Sequence, residues 1–349
     1  MAYPHGYGAL TFGPRTLLLE LTQSKKILFF GGKGGVGKTT VSAAAALARA
    51  RAGGKVLLVS TDPAHNLGHL FDRTIGSKPV RLAPGLDGLE LDPEETVRLH
   101  MKEISNSLHR LMPVHLRGEV DKHMALSKDA PGMQEAALME RIAEVVEQGA
   151  KEYDLVVFDT APSGHTARLM ALPEMMSAWT EGLIEREEKA DGVAQVVREL
   201  SGDSSMEEKT FSADSSDAEK MRESGIRGIL HRRKLRFANL RDVLSDHATT
   251  AFVIVLAAER LPVLETIELH AQLQAAKVNV AALVVNKRSP AEGGEFMRAR
   301  FEQEQAHLDV LTRALPDLPR HDLFLLAQDI VGVESLSEFA AAMGKAQTA

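Results

Sequence analysis

The stretch Gly32-Lys33-Gly34-Gly35-Val36-Gly37-Lys38-Thr39 packs glycines, lysines and a hydroxyl into one short segment that fits G-x-x-x-x-G-K-[ST]. Glycines at these positions let backbone N–H groups turn inward onto phosphate oxygens, and a helix starting at the loop adds the positive end of its dipole. Lys38 is expected to reach the β- and γ-phosphates of ATP, and the Thr39 hydroxyl, followed by Thr40, to ligate Mg2+. Two aspartates could complete such a site. Asp62 lies in Ser60-Thr61-Asp62-Pro63-Ala64-His65-Asn66-Leu67, and Asp159 in Val157-Phe158-Asp159-Thr160-Ala161-Pro162-Ser163-Gly164-His165-Thr166. Each follows an apolar run, at the strand edge where open α/β sheets bind ligands, and a carboxylate there can orient a Mg2+-bound or attacking water.

Positioning these residues takes alternating strands and helices. Short apolar runs at Lys26–Phe30, Lys55–Ser60, Leu155–Asp159, Ala251–Leu256 and Val280–Val285, with Asp322–Leu326 as a weaker one, read as strands. The first leads through the glycine-rich loop into an Ala-rich helix over Val41–Ala52 that stops at Gly53-Gly54. The pattern predicts an α/β fold with a mainly parallel, doubly wound sheet. Glu94 to Gly149 reads as several helices. Glu185 to Glu223 is polar and acidic, and its middle, 201–216, is expected to be mobile.

Composition narrows the function classes. The 349 residues carry 41 basic and 48 acidic side chains, a net charge of −7, which argues against a nucleic-acid binder. There is no cysteine, so disulfides, zinc–thiolate sites and iron–sulfur clusters are excluded. The amino terminus lacks the pattern of a signal peptide, and the longest apolar stretch, Ala251 to Ala258, is too short to span a bilayer. A soluble, cytoplasmic protein without direct membrane insertion is expected.

The loop in the form GKGGVGKTT, a deviant Walker A with its extra Lys33, together with the two aspartate segments, resembles the ArsA/Get family of ATPases. The resemblance extends through Ala258-Glu259-Arg260-Leu261-Pro262 with Glu265-Thr266, through Val284-Val285-Asn286, and through Val331-Gly332-Val333-Glu334-Ser335-Leu336. It implies a P-loop NTPase core over 26–93, 150–172 and 248–349, an N-terminal extension over 1–25, and an inserted helical subdomain over 94–149 and 173–247. It also implies residue roles. Asp62 would activate the attacking water, and Asn66 would sense the γ-phosphate or the partner subunit. Asp159 would hold the Mg2+ shell, the Gly164 amide would read the γ-phosphate, and Asn286 would contact adenine. Glu259 would lie near the subunit interface, and Lys33 would reach nucleotide across or beside it. Gly32, Gly34, Gly35, Val36, Gly37, Lys38, Thr39 and Thr40 would cradle the phosphates.

The sequence also departs from the family. Arsenite-responsive members use cysteine thiolates and targeting members often carry C-x-x-C, but here the corresponding stretch reads Gly294-Glu295-Phe296-Met297. Ser163 stands where Thr is usual, and Gly68-His69 where Ser-Asp is common. His65 and His69 share a helical spacing without a third ligand, so His69 is read as exposed rather than metal-bound. Ten of the 13 methionines fall between Met101 and Met221, a distribution read as gap-filling in helices, with an adaptable client surface as the alternative. The basic segment Arg227 to Arg241 is read as a solvated helix face. The expectation is a Mg2+-dependent ATPase acting as a homodimer that sandwiches two ATP molecules and energises a membrane efflux partner for arsenite or antimonite. The alternative is a chaperone that delivers tail-anchored membrane proteins, a hydrophobic client.

Overall fold

The computed structural model describes residues 17–62, 64, 66–111, 117–118, 121–122, 125, 132–161, 170, 228 and 231–344. Gly164, His65 and the stretch 201–216 lie outside these residues. The described chain divides into two compact units, one drawn from 1–90, 149–167 and 246–349, the other from 91–148 and 168–245.

The first unit is built on one eight-stranded sheet in the order β3-β4-β2-β5-β1-β6-β7-β8. Its strands are β1 (Ile27–Gly31), β2 (Val56–Ser60), β3 (Val80–Ala83), β4 (Leu86–Glu90), β5 (Leu155–Asp159), β6 (Thr250–Ala257), β7 (Val280–Arg288) and β8 (Arg320–Phe324). All neighbours pair parallel except the β3–β4 hairpin. The central strands β1, β2 and β5 are buried at every position, which is why they read as unbroken apolar runs: both faces are covered. On one face Phe29 stacks on its register partners Phe158 and Phe252, with ring centroids 4.6 and 6.4 Å apart. On the other, Leu28, Phe30, Val157 and Val253 share a core with the alanines of α2 (Lys38–Arg51), whose small side chains let the helix lie close to the sheet.

Six strands occur where the apolar runs predict them, and α2 begins three residues earlier than Val41, at Lys38. The hairpin β3–β4 is an addition to that reading. Its sequence, Val80-Arg81-Leu82-Ala83-Pro84-Gly85-Leu86-Asp87-Gly88-Leu89-Glu90, is broken by charge and glycine because β3 forms the sheet edge with a partly exposed face. Residues 17–24, placed with an extension on sequence, form α1 (Leu17–Ser24), whose Leu18, Leu19 and Leu21 join the main core. The unit also contains α3 (Asn66–Phe71).

The second unit contains α4 (Pro93–Leu111), most of α5 (Met133–Glu152) and α6 (231–245). Asp92 caps α4, its Oδ1 accepting from Glu95 N at 2.6 Å, with Pro93 in the first turn where its missing N–H costs nothing. The basic segment is not simply a solvated face. Arg233 and Arg236 turn toward α5, each within 3.2 Å of Glu140, and Arg236 also donates to Glu144 at 2.9 Å. Half-buried guanidiniums with partners of opposite charge are better satisfied there than a surface reading of the charge run allows. After this helix the chain returns to the first unit, which α7 (Arg260–Ala275), α8 (Glu295–Ala314) and α9 (Gly332–Met343) complete.

Candidate functional site

The chain leaves β1 at Gly31 and turns through 32–37 into α2, so the glycine-rich loop sits at the carboxyl edge of a central strand. Two of its glycines are sterically required. A Cβ on Gly32, where φ is 145°, would stand 2.0 Å from the Val255 carbonyl oxygen. One on Gly37, where φ is 90°, would stand 2.4 Å from Asn286 Nδ2. Gly37 is also the N-cap of α2 and brings no capping side chain, which leaves the first-turn N–H groups available to an anion.

A cleft of about 400 Å³ opens over the loop, walled by Gly34, Gly35, Gly37, Lys38, Thr39 and Thr40 on one side and by Asp62, Asn66, His69, Leu70, Ile330 and Val331 on the other. Lys38 is buried at its base and its Nζ donates to the Lys33 carbonyl at 3.1 Å. Burial pushes its pKa below the ordinary lysine value, while Asp159 and Asp62 pull the other way.

The sheet order sets β5 between β1 and β2, which brings the two aspartates to the loop. Asp159 is fully buried. Its Oδ2 accepts from Thr39 Oγ1 at 2.6 Å, and its Oδ1 has no hydrogen-bond partner. Burial pushes the carboxyl pKa up to about 7, opposed by the Thr39 hydrogen bond and by Lys38. An unsatisfied carboxylate oxygen beside a hydroxyl, over a phosphate loop, is a fitting oxygen donor set for a hydrated Mg2+ ion. Asp62 is held from both sides. Its Oδ1 accepts from Ala64 N at 3.1 Å and its Oδ2 from Asn66 Nδ2 at 3.2 Å. Behind it, Glu90 Oε1 accepts from Gly68 N at 2.9 Å and fixes α3.

Asn286 reaches the loop from the end of β7, Nδ2 donating to the Val36 carbonyl at 2.9 Å. Lys33 turns to Glu265 of α7, Nζ to Oε1 at 2.7 Å, with both side chains about one-third exposed. Glu259 is the N-cap residue of α7 but makes no side-chain cap. It lies outside the phosphate cleft, in a second cavity of about 280 Å³ shared with Lys287 and Leu325. His69 is exposed at the cleft wall, and among the described residues no group of three His, Asp or Glu side chains is placed to hold a metal.

Sequence reasoning did not single out Lys287 or assign Glu265 a role. Lys287 Nζ donates to the Gly35 carbonyl at 2.8 Å. Adjacency to Asn286 was a signal for Lys287; for Glu265 the only signal was its place in the segment that follows β6.

Residues 25–345 match the family model described as anion-transporting ATPase. The chain is 32% identical over 319 residues to a provisionally named arsenical pump-driving ATPase 2 of Aquifex aeolicus, covering 90% of this chain and 97% of that one. It is 32% identical to an arsenical pump-driving ATPase of Escherichia coli, covering 88% of this chain but 48% of the longer relative. It is 28% identical to the ATPase ASNA1 homolog 2 of Paramecium tetraurelia, covering 93% of this chain and 95% of that protein.

Proposed function

The chain belongs to the anion-transporting ATPase family, and from that membership we propose that it hydrolyses ATP in the cleft over residues 32–39 as a homodimer whose closing energises a membrane partner. The observation that carries the catalytic reading is the convergence of Lys38, the Thr39–Asp159 pair and the doubly held Asp62 on one cleft. Asp62 would orient water for in-line attack on the γ-phosphorus and take up its proton as the bond to the ADP oxygen breaks. Lys38 would neutralise charge building on the phosphoryl oxygens. Thr39 and Asp159 would hold Mg2+, which when bound would offset the charge of the phosphates. Asn66 would sense the γ-phosphate through its bond to Asp62, and Asn286 would touch the adenine. The Gly164 amide would read the γ-phosphate from outside the described residues.

Two copies would enclose two ATP molecules, each Lys33 leaving Glu265 to reach the nucleotide at the shared face, with Glu259 near it. The helical residues of 94–149 and 173–247 would then carry the motion to the partner. Following the arsenical pump-driving relatives, that partner would be an arsenite or antimonite efflux protein. Because the chain has no cysteine, any metalloid response would arise without thiolates. The family resemblance offers a second reading, the targeting of tail-anchored membrane proteins, and the chain also matches an ATPase ASNA1 homolog over 93% of its length.

Steady-state ATP hydrolysis with and without arsenite or antimonite, on the parent and on Asp62→Asn, separates these readings. Asp62→Asn is expected to lower turnover by at least about 100-fold while ATP still binds. Acceleration of the parent by metalloid supports the efflux reading; turnover indifferent to metalloid removes it and leaves client targeting. An Asp62→Asn protein that turns over normally would end the catalytic assignment.

A further inference from the structure

Glu90, the last residue of β4, is only 4% exposed, and a carboxylate so far removed from water is costly unless it accepts hydrogen bonds. One donor is the Gly68 N–H, 2.9 Å from Oε1. Gly68 is the third residue of α3, so its N–H has no carbonyl within the helix to accept it. A Ser, Thr, Asp or Asn just before a helix ordinarily caps such a group, but the residue there is His65. Glu90 brings a capping oxygen from a strand 22 positions further along the chain. The other end of α3 is closed locally, Arg73 N donating to the Gly68 carbonyl at 3.0 Å.

The cap matters because of what α3 holds. Ser60 is in register with both Asp159 and Glu90, so the ends of β5, β2 and β4 lie side by side. The backbone leading to Asp62 is tied to that edge, Thr61 N donating to the Asp159 carbonyl at 2.9 Å and Asp62 N to Ser60 Oγ at 3.3 Å. The Asp62 carboxylate instead takes its donors from the segment that enters α3, Ala64 N and Asn66 Nδ2. Its direction therefore depends on where α3 sits, and the bond from Gly68 to Glu90 joins α3 to β4. We propose that Glu90 is a positioning residue for hydrolysis: by capping α3 it fixes Asn66, and through Asn66 it aims the Asp62 carboxylate into the cleft. The phosphate loop is carried by β1 and α2 rather than by α3, so this role separates turnover from ATP binding. It rests on the reading of the cleft over residues 32–39 as the site of ATP hydrolysis.

The test measures steady-state Mg2+-ATP hydrolysis by the full chain and by two variants that separate reach from charge. Glu90→Asp keeps the charge and withdraws the oxygen by one methylene; Glu90→Gln keeps the reach and loses the charge. Misplacing the Asp62 carboxylate predicts that Glu90→Asp lowers kcat about tenfold or more, with KM for ATP within about twofold of the parent. Glu90→Gln, still offering an oxygen to Gly68 N, should keep kcat within about threefold. In an Asn66→Ala background the loss from Glu90→Asp should shrink to less than about threefold, because the contact it acts through is gone. A larger loss in Glu90→Gln than in Glu90→Asp would overturn the proposal, since charge and not the cap would then matter. A KM that rises as kcat falls, or a loss undiminished by Asn66→Ala, also overturns it. Should Glu90→Asp not fold, Glu90→Gln decides alone: turnover within about threefold of the parent supports the proposal and a greater loss overturns it. Unchanged kcat in Glu90→Asp removes the positioning role only, whereas a parent that does not hydrolyse Mg2+-ATP overturns the hydrolytic reading and the proposal with it.

Discussion

At Asp159, burial and the Thr39 hydroxyl act in opposite directions, and burial dominates: the carboxyl is pushed from an ordinary 3.8 up to about 7. Between those values the folded protein keeps a proton that the unfolded chain has released. Stability without ligand therefore falls as pH rises through that window and stays low above it. Asp159→Asn removes the buried charge. At about pH 8 the variant should be more stable than the parent by about 1–4 kcal/mol in urea unfolding, a gain that shrinks toward about pH 4. The same variant should lose Mg2+-dependent hydrolysis. Equal unfolding midpoints for variant and parent at both pH values would contradict this account. Asp62 and Asp159 were both legible in sequence because each stands at the carboxyl end of a strand-forming apolar run. The inequality between them was not. Asp62 is half-buried with two donors, Asp159 fully buried with an orphaned oxygen, and only packing distinguishes these situations.

Among the elements, the β1–loop–α2 segment is the most tightly constrained. Gly32→Ala must fit a methyl against the Val255 carbonyl at a positive φ, so it should cost about 2–4 kcal/mol, read as a lower unfolding midpoint. The pair between Lys33 and Glu265 of α7 has the opposite character. Partly exposed ion pairs contribute at most about 1 kcal/mol, so Glu265→Gln should leave the unfolding midpoint nearly unchanged. If Glu265 holds Lys33 away from nucleotide, that variant should self-associate at a lower ATP concentration than the parent; a higher requirement would mean that Glu265 serves the assembled state instead. The strands of the sheet centre were legible because two covered faces demand continuous apolar residues. The edge hairpin β3–β4 was not, since the edge strand β3 tolerates Arg81 and its neighbour β4 is interrupted by Asp87 and Gly88. Arg233 and Arg236 were misjudged for a related reason: a charge run does not reveal that Glu140 and Glu144 face it from another helix.

For the whole molecule, the proposed homodimer gives the most direct prediction. Phe296, Val331 and Leu261 are each more than half exposed, near the strand ends or helix starts around the two cavities. Sedimentation of Asp62→Asn should show about twice the monomer mass with Mg2+-ATP and less association with Mg2+-ADP. A monomer under both conditions would rule out the two-nucleotide arrangement. No described helix is long and apolar enough to cross a membrane.

The sequence by itself determined the phosphate loop, the two aspartates and the alternation of strand with helix. These depend on residue type and short-range periodicity, which the chain carries locally. What only the tertiary structure decided are the contacts that join distant segments. Lys33 meets Glu265 across 232 positions, Asn286 meets Val36 across 250, and Lys287 meets Gly35 across 252. The physical reason is the strand order. A parallel sheet places β1 beside β5 and β6, with β7 one strand further, so groups remote along the chain converge on one edge, and no local pattern records which of them will touch.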